Sequence, residues 1–317
     1  MRRAVVVGAG IVGTSAALFL QDDGWAVTLL DPLPPGQGTS FGNAGIVSLG
    51  SVLPVGEPRL WRRVPAMLRD PGGALRLRRR DLPRLAPWLW RFLRASRPDR
   101  VEASTTALAP LLAAADRAHD AVIQRAGLGD LVHRVGWLKV AMSEAAMLQA
   151  TARERAAYAR FGIPHETLDA DGVRALEPAL GEGVRAGLFL PQNRAVRNPA
   201  AYVAGIAEAF VRRGGRIVRG RAEAIETADG RATAVRRAGG DLPADLVVLA
   251  AGAFSAPLAR PLGLRPPLRA ERGYHAMLPH PPVTLTRPVQ CLEHGFVLAP
   301  MQGGLRLTSG VELAGLD

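Results

Sequence analysis

The 317-residue chain contains a single cysteine, Cys291, and a single lysine, Lys139. One thiol can neither close an internal disulfide nor build a cysteine-ligated metal cluster, so any redox chemistry has to be borrowed from a bound cofactor. The six histidines show no metal-ligand spacing. Long apolar runs are missing as well, since nothing approaches the ~20 residues that cross a bilayer. The N-terminal apolar stretch is broken by glycines and ends in Gln21, Asp22, Asp23 and Gly24. It is no signal peptide, which predicts a cytoplasmic protein. Acidic residues are outnumbered, 28 against 40 basic ones, for a formal charge of +12. Such an excess raises nucleic acid and anionic membranes as partners. The arginines are spread along the chain, however, and read as solvated faces, so nucleic acid is not expected.

What is present is concentrated at the start. Residues 3–31 read RAVVVGAGIVGTSAALFLQDDGWAVTLLD. The apolar run at 4–7 predicts a strand buried on both faces of a parallel sheet. Gly8 lets the chain turn sharply, Gly10 keeps the backbone bare where a pyrophosphate would approach, and Gly13 lets the next helix pack close. That helix, expected over 11–21, begins at Ile11 and Val12 and aims its free N–H groups and positive dipole end at bound phosphates. A turn at Asp22, Asp23 and Gly24 leads to a second strand at 26–30, tipped by Asp31. An acid at this offset accepts hydrogen bonds from ribose hydroxyls and repels a 2′-phosphate, which disfavours NADP. Strand, glycines, helix, strand and acid occur in the order that a dinucleotide site requires.

Asp31 is followed by PLPPGQGTSFGNAGIVSLGS, whose glycines permit close approach to something large and flat. GAGIVG, the acid at 31 and TSFGNAG at 39–45 together resemble the FAD-dependent amine oxidoreductases of the D-amino acid oxidase superfamily, in particular the D-amino acid dehydrogenases. The resemblance implies that Gly8, Ala9, Gly10, Ile11, Val12 and Gly13 hold the FAD pyrophosphate and Asp31 the adenosine ribose, although the family more often has Glu at this position. It further implies that Thr39 and Ser40 touch phosphate or ribitol, and that Asn43, Ala44 and Gly45 line the isoalloxazine. Backbone near Ala222 would meet the adenine, and Ala251 and Gly252 of ADLVVLAAG would close the site. Tyr274, in an RGY phrase of the family, is the catalytic candidate beside the substrate, and Glu312 is expected to be structural.

The rest of the chain reads as alternating helices and strands. At 85–93, Leu85, Trp88, Leu89, Phe92 and Leu93 form one apolar stripe of a helix with Pro87 in its first turn. Arg76, Arg78, Arg79, Arg80, Arg84, Arg91, Arg94, Arg97 and Arg100 flank it. The stripe either packs on the protein's own core or, with this basic surround, lies on the inner face of a membrane, where electrons would pass to quinone. Helices are expected at 103–126, 144–161, 169–180 and 198–213. Strands are expected at 133–141, 187–191, 216–218, 222–227, 232–237 and 244–252, with a hairpin turning through Gln302, Gly303 and Gly304.

The expected fold is α/β, a Rossmann-like FAD-binding domain around a central parallel sheet (1–80 and 192–263) with an inserted α+β substrate domain on a mixed or antiparallel sheet (81–191 and 264–317). The activity implied by the resemblance is oxidative deamination of a D-amino acid, with hydride passing from Cα to flavin N5 and electrons leaving to quinone or oxygen. Two alternatives stand beside it: an FAD oxidase of glycine-, sarcosine- or proline-type amines or 2-hydroxy acids, and a non-catalytic remnant that binds nucleotide or membrane. The family's WxGLRP-like segment with a carboxylate-binding arginine and its GHxxxG-like loop do not occur in these residues, so a truncated or fragmentary sequence is the expectation.

Overall fold

A computed structural model describes residues 1–58, 75–77 and 82–313. The apolar run forms β1 (Arg3–Val7), whose residues from Ala4 onward are all buried. Helix α1 (Ile11–Asp22) leads to β2 (Ala26–Asp31), and α2 (Pro199–Arg212) leads to β3 (Arg216–Arg219). With β4 (Leu246–Leu249) these strands make a four-stranded sheet in the order β3-β2-β1-β4, parallel throughout. A strand flanked on both sides and covered on both faces has no solvated side, which explains why β1 reads as unbroken Val and Ala instead of alternating. Asn198 caps α2 by accepting from the Ala201 amide, and Pro199 occupies the first turn, where its missing N–H costs nothing.

One face of this sheet is packed by α1 and α2 around Leu18, Tyr202, Ile206 and Phe210. The long helix Pro98–Ala126 contributes Val122 and Ala126 to the same core. On the other face Val5, Val7 and Leu30 meet Ala244 and, from a three-stranded sheet made of Ala222–Ala228, Arg231–Arg237 and Leu242–Pro243, Val235 and Leu242.

The second large unit is an eight-stranded sheet. Its edge strand is β5 (Glu271–Leu278), followed by β7 (Gly304–Leu313) and β6 (Phe296–Met301). Beyond β6 lie Val289–Cys291, Trp137–Ala141, Ala186–Leu190 and Glu166–Asp169. All neighbours along this path are antiparallel except Val289–Cys291 beside Trp137–Ala141, and Leu75–Leu77 adds a parallel partner to the end of β7. Alternation decides which face each residue takes. Leu138, Val289 and Leu305 pack with Val173 of the helix Ala170–Leu176, while Ala141, Leu188 and Leu190 pack with Met147 and Tyr158 of the helix Glu144–Phe161. The single lysine is also buried: Lys139 forms an ion pair with Glu154 at 2.6 Å.

Two expectations need correction. The single strand expected at 133–141 is two: Val132–His133 belongs to a small sheet with Arg194–Val196 and Ile46–Val47, and Trp137–Ala141 belongs to the large one. The break falls at Gly136, which has φ +74° and whose missing Cβ leaves room for the Phe189 ring. Pro87 is not in a first turn either, because its helix already begins at Leu82. Along that helix Leu85 is buried, Trp88 stacks on Phe92 at 5.2 Å, and Trp90 is 64% exposed. Arg78 to Arg80 and the side chains of Arg76 and Arg84 lie outside the described residues. No helix among the described residues is long and apolar enough to cross a membrane.

Candidate functional site

The turn after β1 is built by its own glycines. Gly8 has φ +111°, a conformation that a side chain disfavours, and a Cβ there would strike the Ala250 carbonyl and lie 2.9 Å from Ala251 Cα. A Cβ on Gly13 would overlap the Gly8 carbonyl oxygen, so the helix can sit this close to the turn only without one. The Gly8 amide donates to Leu30 O at 2.9 Å and the Ala250 amide to Val7 O at 2.8 Å, which locks the turn between its two neighbouring strands. Ala251 and Gly252 follow directly on the β4 side.

At the mouth of this turn, α1 begins without a side-chain cap at Gly10. Ser40 Oγ takes the Ile11 amide at 3.1 Å, whereas the amides of Gly10, Val12 and Gly13 have no acceptor among the described residues. Uncapped amides and the positive end of a helix form an anion-binding surface. Asp31 sits at its rim. One carboxylate oxygen accepts from the Ala9 amide and the other from the Leu33 amide, both at 2.7 Å. Each oxygen keeps a further lone pair for a ligand hydroxyl. Arg219 lies opposite Asp31 in register, the Gly220 amide donates to Asp31 O at 3.1 Å, and Ala222, two residues on, packs on the cluster that contains Leu30. The structure therefore brings Gly8 to Gly13, Asp31, Ser40, Ala222, Ala251 and Gly252 around one end of the parallel sheet.

The glycine-rich loop is the second half of the site. The Asn43 side-chain Nδ2 donates to Ser40 O at 2.9 Å and its Oδ1 accepts from the Gly45 amide at 2.8 Å. Gly45 O in turn accepts from the Val196 amide at 2.7 Å, which joins the loop to the small sheet. Thr39 and Asn43 are exposed and Ala44 is half-buried, so all three can reach a ligand. The small sheet is fixed from behind: Arg194, almost wholly buried, pairs with Asp116 and, at 2.6 Å, with Asp120 of the long helix. These partners, in hydrogen bonds and as charges, outweigh burial and raise the Arg194 pKa, while Arg194 lowers that of Asp120.

The large sheet closes on the loop through β5 and β7. Arg306 Nη1 donates to Phe41 O at 2.8 Å and to Asn43 O at 3.0 Å. His275 stands against Gly42, where a Cβ would lie 2.6 Å from Nδ1. Neither residue was singled out in the sequence. Its signal was available, because Arg306 is one charge in the apolar run LRL, and a charge on a core strand calls for a reason.

Tyr274 is not brought to this loop. Register pairs His275 with Thr308 and Met277 with Arg306, whereas Tyr274 pairs with Ser309, so Tyr274 points to the opposite face of the sheet. There its hydroxyl donates to Glu312 Oε2 at 2.7 Å, and that carboxylate raises the pKa of the phenol. With His275, Ala276, Leu307, Ser309, Gly310 and Glu312 it lines an open cavity of about 520 Å³. No group of three or more His, Cys, Asp or Glu among the described residues is arranged to hold a metal ion.

A family model described as FAD dependent oxidoreductase matches residues 3–317. The chain is 34% identical over 322 residues to a D-amino-acid oxidase of Bradyrhizobium diazoefficiens, covering all of this chain and 75% of that protein. It is 34% identical over 283 residues to D-amino acid dehydrogenase 2 of Ralstonia nicotianae, covering 86% of this chain and 66% of the other. Its fold is similar to that of glycine oxidase from Geobacillus kaustophilus, with a TM-score of 0.68, 20% identity, and coverage of 100% of this chain and 74% of that one.

Proposed function

The chain belongs to the family of FAD-dependent oxidoreductases, and from that premise we propose that it oxidises D-amino acids to 2-oxo acids and ammonia. The observation that carries the cofactor assignment is the uncapped start of α1 with Asp31 at its rim. Three amides without acceptors suit a diphosphate, and two half-satisfied carboxylate oxygens suit a pair of ribose hydroxyls. FAD supplies the redox step when bound, by accepting the hydride of the substrate Cα–H bond.

The chain supplies position. Gly8 to Gly13 and Ser40 hold the diphosphate end, Asp31 and the backbone at Ala222 the adenosine, and Ala251 and Gly252 the floor. Thr39 joins Ser40 at the phosphate or ribitol, and Asn43, Ala44 and Gly45 hold the ring end. His275 and Arg306 border that end from the large sheet, and Tyr274, next to His275 on the open cavity, is the candidate residue beside the substrate. The cofactor is assigned to 1–80 and 192–263 and the substrate to 81–191 and 264–317.

The test is reduction of the bound flavin. Purified protein loaded with FAD should lose its oxidised flavin absorbance on anaerobic mixing with D-amino acids and keep it with the L enantiomers. A flavin that no D-amino acid reduces would refute the substrate assignment. Peroxide release on admitting air assigns oxygen as the acceptor, and reduction of a quinone without peroxide assigns a dehydrogenase.

Exposed Trp90, on a helix that also carries Arg91 and Arg94, supports a second reading in which residues 76–100 touch an anionic membrane. Co-sedimentation with anionic vesicles at low salt tests it, and protein left in the supernatant would exclude it.

A further inference from the structure

Among the described residues, Arg306 differs from the other deeply buried cations. Lys139 has Glu154, and Arg194 has Asp116 and Asp120. Arg306 is 6% exposed, and among the described residues no carboxylate pairs with it. Burial alone pushes its pKa down. Its Nη1 places one N–H on Phe41 O and the other on Asn43 O, Nε faces Met277 Sδ at 3.3 Å, and the guanidinium lies 5.6 Å from the centre of the Phe41 ring. A buried charge without a counter-charge works against stability, and an apolar residue of similar volume is usually tolerated as well or better. The position therefore has a purpose other than holding the sheet together.

The two acceptors identify that purpose. Phe41 and Asn43 flank Gly42, and Asn43 is the residue whose side chain closes on the Gly45 amide. A single nitrogen that binds both carbonyls fixes the path of the loop between them, and charged donors make hydrogen bonds roughly twice as strong as neutral ones. We propose that Arg306 is a positioning residue for the FAD site. It ties the backbone of the glycine-rich loop to the large sheet, so that Asn43, Ala44 and Gly45 are already set when the cofactor enters. This rests on reading that loop as the ring end of the FAD site. A lysine can replace the clamp only in part: its ammonium has donors enough for both carbonyls but lacks the rigid planar group that aims Nη1 at them.

The experiment compares the parent with Arg306→Met and Arg306→Lys in two assays. In apoprotein, amide hydrogen exchange at residues 41–45 and at Val196 should speed up roughly tenfold in Arg306→Met, the effect of losing a hydrogen bond to a charged group. Arg306→Lys should fall between the two. FAD affinity, read from quenching of flavin fluorescence, should weaken by a similar factor, while the apoprotein melting temperature of Arg306→Met stays level or rises. Exchange unchanged within twofold would overturn the clamp. A fall in melting temperature that accounts for the weaker FAD binding would also overturn it, because the residue would then be merely structural. A parent that takes up no FAD would refute the cofactor reading, and the exchange comparison would still decide the clamp.

Discussion

The turn after β1 and the contact between the glycine-rich loop and β7 serve the same site but are made in opposite ways. In the turn, the contacts of Gly8, Gly13 and Ala250 run between a strand, the residues following it and its direct neighbours in the sheet. In the loop contact, Arg306 reaches carbonyls more than 260 positions earlier in the chain. The first is over-determined: remove one contact and the register of a four-stranded parallel sheet still holds the others. The second hangs on a few side chains. The turn is thus expected to fail as a fold, and the loop contact as a function.

The sharpest break is Gly13→Val. The added carbons would overlap the Gly8 carbonyl in a region with no slack, so α1 must move off the sheet. We expect loss of at least ~4 kcal/mol of stability, the range reserved for steric failure in a core, or no soluble protein at all. Thermal unfolding decides it, and a near-parental melting temperature would mean that the turn is looser than described. Next is Asp31→Asn, which keeps the size but removes the charge. The Ala9 and Leu33 amides can bond to only one carboxamide oxygen, and the ribose loses a charged acceptor. FAD affinity should fall by ~10- to 100-fold, equivalent to ~1.5–3 kcal/mol. Unaltered affinity would remove Asp31 from the site.

A smaller effect tests the support behind the loop. His119, on the long helix beside Asp116 and Asp120, faces Tyr202 Oη at 3.4 Å. Its pKa is lowered from 6.5, first by burial and then by Arg194, against the opposing carboxylates. A histidine of lowered pKa binds fewer protons folded than unfolded, so stability is complete above the ordinary imidazole range and declines as pH falls through it. His119→Gln should flatten that slope in denaturant titrations near pH 6, and an unchanged slope would exonerate the residue. Smallest of all is Tyr274→Phe. The lost hydroxyl faces Glu312 on the side away from the loop, so FAD affinity should stay within twofold and stability within ~1 kcal/mol. A large drop in FAD binding would put Tyr274 back at the site.

The comparison also explains what could be read from residues alone. The β1–α1–β2 unit was legible to its ends because strand, glycine spacing, helix and acid are local quantities, each with a period or an offset. The D-amino acid oxidase resemblance extended this to residues 39–45 and to β4. The RGY phrase around Tyr274 carries no information on which face of the strand each of its residues takes. That parity was fixed by a register shift in the β5–β7 pair between Gly273 and Tyr274 and by pairing with residues 305–313. The split of 133–141 was hidden for a similar reason. HRVGWLKVA is apolar enough for one strand, and only the ring of Phe189, supplied from another strand, makes Gly136 a corner. The clamp by Arg306 was out of reach because nothing local ties β7 to a loop near the start of the chain.

The lone lysine is also a practical probe. Within these 317 residues the ε-amine of Lys139 is the one site of its kind, and it is sealed beneath the helix Glu144–Phe161 by Glu154 and the Trp137 ring. Amine-selective reagents therefore find it only when that helix lifts from the sheet. Acylation of this single position, followed by mass spectrometry, would give a clock for opening between that helix and the large sheet.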